Sequence, residues 1–337
     1  VTNCIIEMVK RIIIFVFAII IGGTEFANAQ DPEYSQFYAN SLYLNPAFAG
    51  SVVCPRISLN YRNQWPALGS TFVNYNIAAD GHVDFLQGGV GLNLLKDVQG
   101  EGAIETTNID LMYSYTSRVH RNFAIKVGFQ VSYIQRVLNW SDLVFPDMID
   151  RLYGIIYNTL ETKPTNLSEG YFDFSTGFLG YNTQKKYYFG FAVHHLSQPE
   201  ESFMGNSSAV LPRKYTAHFG IEIPVFNRRF KRGDFSVSPN IMYQRQQDFE
   251  QINVGMYFSR KDFVAGVWMR QNLDLHYDAV IMLVGFVKDN LKFSYSYDLT
   301  ISKMAKETLG AHEVTLSVLL PCRQKRKKWE SIACPTF

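Results

Sequence analysis

From Asn122 to Ile134 the chain alternates without a break. Phe123, Ile125, Val127, Phe129, Val131 and Tyr133 are apolar or aromatic, with Ala124, Lys126, Gly128, Gln130 and Ser132 between them. Successive side chains on a β-strand point to opposite faces, so this run has one greasy face and one small or polar face. The same rhythm returns in many later segments. A water-soluble sandwich also alternates, whereas a membrane barrel sets the greasy face in lipid and the polar face in its lumen. Everything else in the sequence turns on that choice.

The start of the chain bears on the compartment. Lys10 and Arg11 precede an apolar stretch from Ile12 to Ile21, followed by Gly22, Gly23 and Ala27-Asn28-Ala29. That order predicts a secretory signal peptide over residues 1–29, cleaved after Ala29 to leave Gln30 first. The apolar run is shorter than the ~20 residues a spanning helix needs. No later segment is apolar for long enough either, so a mature chain housed in a membrane must be a closed barrel, the other structure that satisfies every backbone group in lipid.

Composition agrees with a barrel. Aromatic residues make up 15% of the chain, with 20 Tyr and 26 Phe, yet mean hydropathy is only −0.08 and the net charge is +2. Apolar surface diluted by a polar lumen and polar loops produces these values. Near-neutral charge argues against nucleic acid as a partner.

Alternation predicts strands over Arg56–Gln64, Thr71–Asp80, Gly88–Lys96, Glu105–Ser117, Asn122–Arg136 and Tyr171–Asn182. It continues over Tyr187–His195, Lys214–Ile223, Phe235–Arg245, Gln251–Ser259 and Phe263–Gln271, and ends with Tyr277–Val287, Leu291–Leu299 and His312–Leu320. The total is about 14, an even number as single-chain bacterial barrels have. Tyr277–Val287 is apolar on both faces, as expected of a strand that packs against a plug. Connections supply an independent test. In a barrel with both ends in the periplasm, odd-numbered connections face outward and should be the longer ones. Leu138–Gly170, Leu196–Arg213 and Thr300–Ala311 are long and odd-numbered, whereas Arg118–Arg121, Thr183–Lys186, Arg260–Asp262 and Lys288–Asn290 are tight and even-numbered. Pro224–Asp234 is the moderately long, basic exception. A soluble sandwich has no reason to sort its loops this way. The expected organisation is an all-β transmembrane antiparallel barrel over residues 56–320. A periplasmic or plug segment over 30–55 precedes it, either in the lumen or along the periplasmic rim, and a periplasmic tail over 321–337 follows.

Motifs along the chain carry a family resemblance. Gln30-Asp-Pro-Glu-Tyr-Ser-Gln-Phe-Tyr and Leu42-Tyr-Leu-Asn-Pro-Ala-Phe-Ala-Gly50 resemble the opening of the PorP/SprF family, membrane proteins of the type IX secretion system of Bacteroidetes. Tyr61-Arg-Asn-Gln-Trp-Pro66, Gly128-Phe-Gln130 with Gln135-Arg136, Ala192-Val-His-His-Leu196 and Leu211-Pro-Arg-Lys-Tyr215 add to it. So do Tyr295-Ser-Tyr-Asp298 with Thr300-Ile-Ser302, Gly310-Ala-His-Glu313 and Cys334-Pro-Thr-Phe337. The resemblance implies an outer-membrane barrel of the secretion or gliding apparatus. Its partners would be periplasmic ring lipoproteins of that apparatus, or a large adhesin-like cargo whose export and surface attachment it supports.

Candidate chemistry is sparse. His194 and His195 are adjacent on a predicted strand and should point to opposite faces, a poor chelating pair. No Gly-x-Ser-x-Gly elbow supports a hydrolase, and no catalytic, metal-binding or cofactor-binding residue is assigned. Gly89–Gly91 lies within a strand and Gly100-Glu-Gly102 in a loop with no helix after it, so a phosphate cradle fails its context test and bends or close packing are the better account of strand glycines. The sharper candidate is a partner-binding surface at Arg323, Lys325, Arg326, Lys327 and Lys328 with Trp329 and Phe337, beside the basic run Arg228-Arg-Phe-Lys-Arg232. A rim holding anionic lipid headgroups accounts for the same charges.

Cleavage after Ala29 leaves Cys54, Cys322 and Cys334, and export permits disulfides. Cys54 precedes the first strand and Cys322 follows the last, which barrel closure makes neighbours. A Cys54–Cys322 bond is expected, with Cys322–Cys334 and free thiols as the alternatives. Trp65-Pro66 and the loop around Trp140, Phe145 and Pro146 suit either cargo contact or an interfacial aromatic belt. A passive channel or small-solute transporter is the competing function, with Lys126, Gln130, Lys292 and Asp298 facing a wet pore.

Overall fold

The computed structural model describes residues 31–52, 54–68, 71–203, 209–225, 235–273, 277–301 and 308–322. Among these, fourteen strands form one closed antiparallel barrel. In chain order they are β1 (Arg56–Gln64), β2 (Phe72–Val83), β3 (Gly88–Gln99), β4 (Ile104–His120), β5 (Phe123–Leu138), β6 (Ser168–Asn182) and β7 (Tyr187–His194). The second half comprises β8 (Lys214–Ile221), β9 (Phe235–Gln246), β10 (Phe249–Arg260), β11 (Phe263–Gln271), β12 (Tyr277–Lys288), β13 (Leu291–Thr300) and β14 (Ala311–Leu319). Sequential strands pair, β8 pairs both β7 and β9, and β1 closes on β14 over the register Arg56↔Leu319 to Gln64↔Ala311. Closure leaves the barrel sheet no edge strand.

The alternation sorts residues as the physics of a lipid-bathed barrel requires. On β1 the side chains of Ile57, Leu59 and Tyr61 are exposed outward, while Ser58, Asn60 and Arg62 are buried inside. The same division separates Leu92 and Leu94 from Asn93 and Leu95, and Met282 and Val284 from Ile281 and Leu283. Two-faced apolarity on β12 thus has a cause. Ile281 and Leu283 belong to a buried cluster that includes Phe37, Leu42 and Phe48 from the segment ahead of the barrel.

The strands follow the sequence pattern closely but differ at their ends. β4, β5 and β6 are 17, 16 and 15 residues long, whereas β7 and β8 have eight each. β6 begins at Ser168, ahead of the predicted Tyr171, and pairs with β7 only from Thr176 onward. One odd-numbered connection is minimal, a two-residue turn over 247–248 with Gln247 in the left-handed region (φ 53°).

Cys54 and Cys322 are joined by a disulfide across the β1–β14 seam. The basic run over 228–232 and the predicted partner-binding residues Arg323, Lys325, Arg326, Lys327, Lys328, Trp329 and Phe337 lie outside the described residues, as does Cys334.

Candidate functional site: a filled lumen and its rims

The segment from Pro32 to Val52 occupies the lumen rather than the rim, and from Tyr34 to Gly50 all but Tyr43 is buried. Its path has local causes. Ser41–Leu44 makes one helical turn, and Asn45 then caps a short 3-10 turn over Pro46–Phe48. Asn45 Oδ1 accepts from Ala47 N at 2.9 Å, and Pro46 occupies the first turn position, where it needs no donor. The other end of the Asn45 side chain is used as fully. Its Nδ2 donates to the carbonyls of Phe178 (3.1 Å) and Phe191 (3.3 Å), and His218 Nε2 lies at 3.3 Å. Phe48 stacks on the same imidazole, ring centroids 5.4 Å apart.

Strand glycines make room for this stretch. A Cβ at Gly128 would lie 2.6 Å from Ala47 Cα, and one at Gly89 would lie 2.5 Å from Gly50 Cα. Gly177 similarly faces Asn45, and Gly190 faces His218. The close packing expected of Gly89–Gly91 is therefore packing against the plug. Gly50 itself has φ +58° and donates through its N–H to Asp80 Oδ2 at 2.9 Å, and Arg56 Nε holds Asp80 Oδ1 at 2.8 Å. Ala49 O accepts from Ser114 Oγ at 2.6 Å and from Lys126 Nζ at 2.7 Å.

A charge network locks the other end of the segment. Arg62 reaches Asp298 at 3.1 Å and Glu313 at 3.2 Å, and Arg270 reaches Asp298 at 3.3 Å. Two cations and two carboxylates balance. All four side chains are buried, where an unmatched charge would be very costly. Ser35 sits at the centre. Its N–H donates to Glu313 Oε2 at 2.6 Å, its hydroxyl donates to Asp298 Oδ2 at 2.6 Å, and Arg62 donates to the same hydroxyl. Gln36 adds its N–H to Glu313 Oε1 (3.3 Å) and its amide to Glu313 O (2.9 Å). Four motifs that are distant in the sequence, around Ser35, Arg62, Asp298 and Glu313, thus meet in one place.

This arrangement bears on the wet-pore expectation. Lys126 and Asp298 face inward, and they bind the plug and its lock. The histidine expectation also changes. β7 ends at His194, and His195 turns into the left-handed region (φ 58°), so alternation stops and both rings are buried. His195 Nδ1 lies 2.8 Å from Asp173 Oδ2, and Ser197 Oγ donates to Asp173 Oδ1 at 2.5 Å. Ser, His and Asp therefore meet, with the serine hydroxyl donating to the carboxylate, whereas in a nucleophilic triad it donates to the imidazole. Arg136 pairs with Glu201 at 2.6 Å and Tyr171 donates to the same carboxylate, so the connection after β7 is tied to the wall at both Asp173 and Glu201. The connection after β5 is different. Trp140 and Phe145 pack at 4.9 Å, a two-residue ladder joins Ile149–Asp150 to Gly154–Ile155, and Leu152 (86%) and Leu160 (92%) are almost fully exposed. At its base Asp150 accepts from the N–H groups of Leu152 and Tyr153, which hold its carboxyl below the usual range. No group of three or more His, Cys, Asp or Glu side chains is placed to hold a metal ion among the described residues.

Against known families, residues 26–318 match the model described as type IX secretion system membrane protein PorP/SprF. The chain belongs to that family. With the closed barrel and its outward apolar face, membership makes this an outer-membrane β-barrel of a secretion system. No curated relative matches the sequence. Among solved structures, the Ralstonia pickettii toluene transporter TbuX shares 9% identity over 82% of this chain and 91% of its own, with a TM-score of 0.47. The P. putida toluene transporter TodX shares 9% over 83% and 93% (TM-score 0.46). A Pseudomonas aeruginosa FadL homologue shares 11% over 83% and 92% (TM-score 0.42).

Proposed function

We propose that this chain is a non-enzymatic, positional component of the type IX secretion or gliding apparatus. The barrel is a rigid outer-membrane anchor. Its long connections face the exterior and meet adhesin-like cargo, and its periplasmic end, including the basic and aromatic residues over 323–337, meets a ring lipoprotein of the apparatus. The observation that carries this reading is the filled lumen in a member of a secretion family. A barrel whose interior is occupied by its own chain, pinned by four buried charges and a row of glycine contacts, suits holding and docking better than passage. Deleting residues 323–337 should abolish co-purification with a periplasmic lipoprotein while the barrel stays heat-modifiable on gels. Unchanged co-purification would overturn the docking role. The purified protein should be silent in planar bilayers, and a large steady current would favour a passive channel instead.

A further inference from the structure

The partners of the plug descend through the barrel in order. We take the end of each strand that carries the odd-numbered connections as the upper end. Ser35 binds Glu313, third residue of β14 from that end, and Asp298, third from the upper end of β13. With its amide in the orientation that satisfies it, Gln251 donates to Glu33 at 2.7 Å, and Gln251 is third from the upper end of β10. Phe37 packs edge-on to Trp268, in the middle of β11, at 5.3 Å. Asn45 reaches carbonyls midway down β6 and β7. Ala49 then binds Lys126 near the lower start of β5, and Gly50 binds Asp80 near the lower end of β2. The chain leaves through Cys54 at the lower seam, where β1 begins.

We infer that the plug is threaded from the top down, so that its Pro32 end lies at the mouth that carries the long connections. That end is therefore opposite the side of the barrel on which β1 starts and β14 ends. Backbone chemistry accommodates this direction. A 21-residue segment running antiparallel to β1 can satisfy its polar groups against the lumen all along its length, as the chain of contacts from Ser35 to Gly50 does. Pro32, Glu33, Tyr34, Tyr43, Lys214 and Gln244 line a cleft at this upper end, beside the start of β8 and the end of β9. With the long connections outward, as the proposed function has them, the Pro32 end of the plug becomes part of the cell-surface face and is available to an extracellular partner.

The test places one short epitope in turn immediately ahead of Asp31, beside Leu152 in the connection after β5, and between Asp289 and Asn290 in the turn between β12 and β13. Antibody binding to intact and to permeabilised cells is compared. The N-terminal epitope should group with the Leu152 epitope, and the Asp289 epitope should group apart from both. Grouping of the N-terminal epitope with Asp289 overturns the threading. If the Leu152 and N-terminal epitopes share a side but need permeabilisation, the threading stands and the outward assignment of the long connections falls. A second measurement does not depend on insertion. In a Cys334→Ser background, Glu33→Cys with Gln251→Cys should be bridged by a short bis-maleimide in the purified, heat-modifiable protein. A folded barrel that gives no bridged peptide contradicts the path.

Discussion

Arg62→Met tests the lock on the plug most directly. Arg62 lies 3.1 Å from Asp298 and 3.2 Å from Glu313. At such distances each pair is worth about 5 kcal/mol gross for an effective dielectric near 20, and much of that is offset by taking the ions out of water. Removing one partner is a different matter, because it strands charge. Asp298 keeps Arg270 at 3.3 Å, but Glu313 keeps hydrogen bonds from neutral groups, Asn60 (2.8 Å), the Ser35 N–H (2.6 Å) and the Gln36 N–H (3.3 Å). The cost therefore falls on Glu313 and should be about 3–5 kcal/mol. Arg62→Met with Glu313→Gln leaves Arg270 and Asp298 balanced, so the double variant should recover about 2–3 kcal/mol of the loss. Guanidinium unfolding in detergent micelles, followed by tryptophan emission, reads both the barrel and the plug, since Trp268 packs against Phe37. An Arg62→Met midpoint equal to wild type, or a double variant no more stable than the single, would refute the reasoning.

Gly128→Val should displace the Pro46–Ala47 stretch, because a Cβ there would lie 2.6 Å from Ala47 Cα and backbone cannot yield by changing rotamer. Overpacking of this kind costs about 1–3 kcal/mol. Planar-bilayer recordings should then show flickering conductance that the parent lacks, and silence together with unchanged stability would count against the tight fit. Cys54→Ser should lower unfolding stability, since the bond spans 268 residues of sequence. The chain-entropy limit for so long a loop is about 5 kcal/mol. Non-reducing peptide mapping of the parent should recover Cys54 bonded to Cys322, and recovery of both as free thiols would remove the staple.

Much of the barrel was legible because lipid enforces a strict two-residue period. β1 and β11 begin and end at the residues the alternation marks. The upper ends of β5 and β6 were less legible, as was the lower end of β4. Beyond the lipid zone both faces meet water, so the pattern loses its contrast while the ladder continues through Ile104↔Leu138 and Val137↔Ser168. His195 was misread because a left-handed residue breaks the alternation that the argument assumed. The plug left two traces in the sequence. Tyr277–Val287 is apolar on both faces, and Gly89, Gly128, Gly177 and Gly190 fall where a lumen-facing side chain would otherwise stand. Neither trace could choose between lumen and rim. The lock was invisible as a unit, since Ser35, Arg62, Asp298 and Glu313 are brought together only when the sheet closes.

The seam between β1 and β14 has a consequence for biogenesis. A ring of hydrogen-bonded strands cannot admit a folded helical turn through its wall, so Ser41–Phe48 is either laid in place before the seam zips or drawn in through an open mouth. Either way, the bond from Cys54 to Cys322 fastens the outgoing end of the plug to the finished seam. Withdrawal of the cork would then have to start from its Pro32 end.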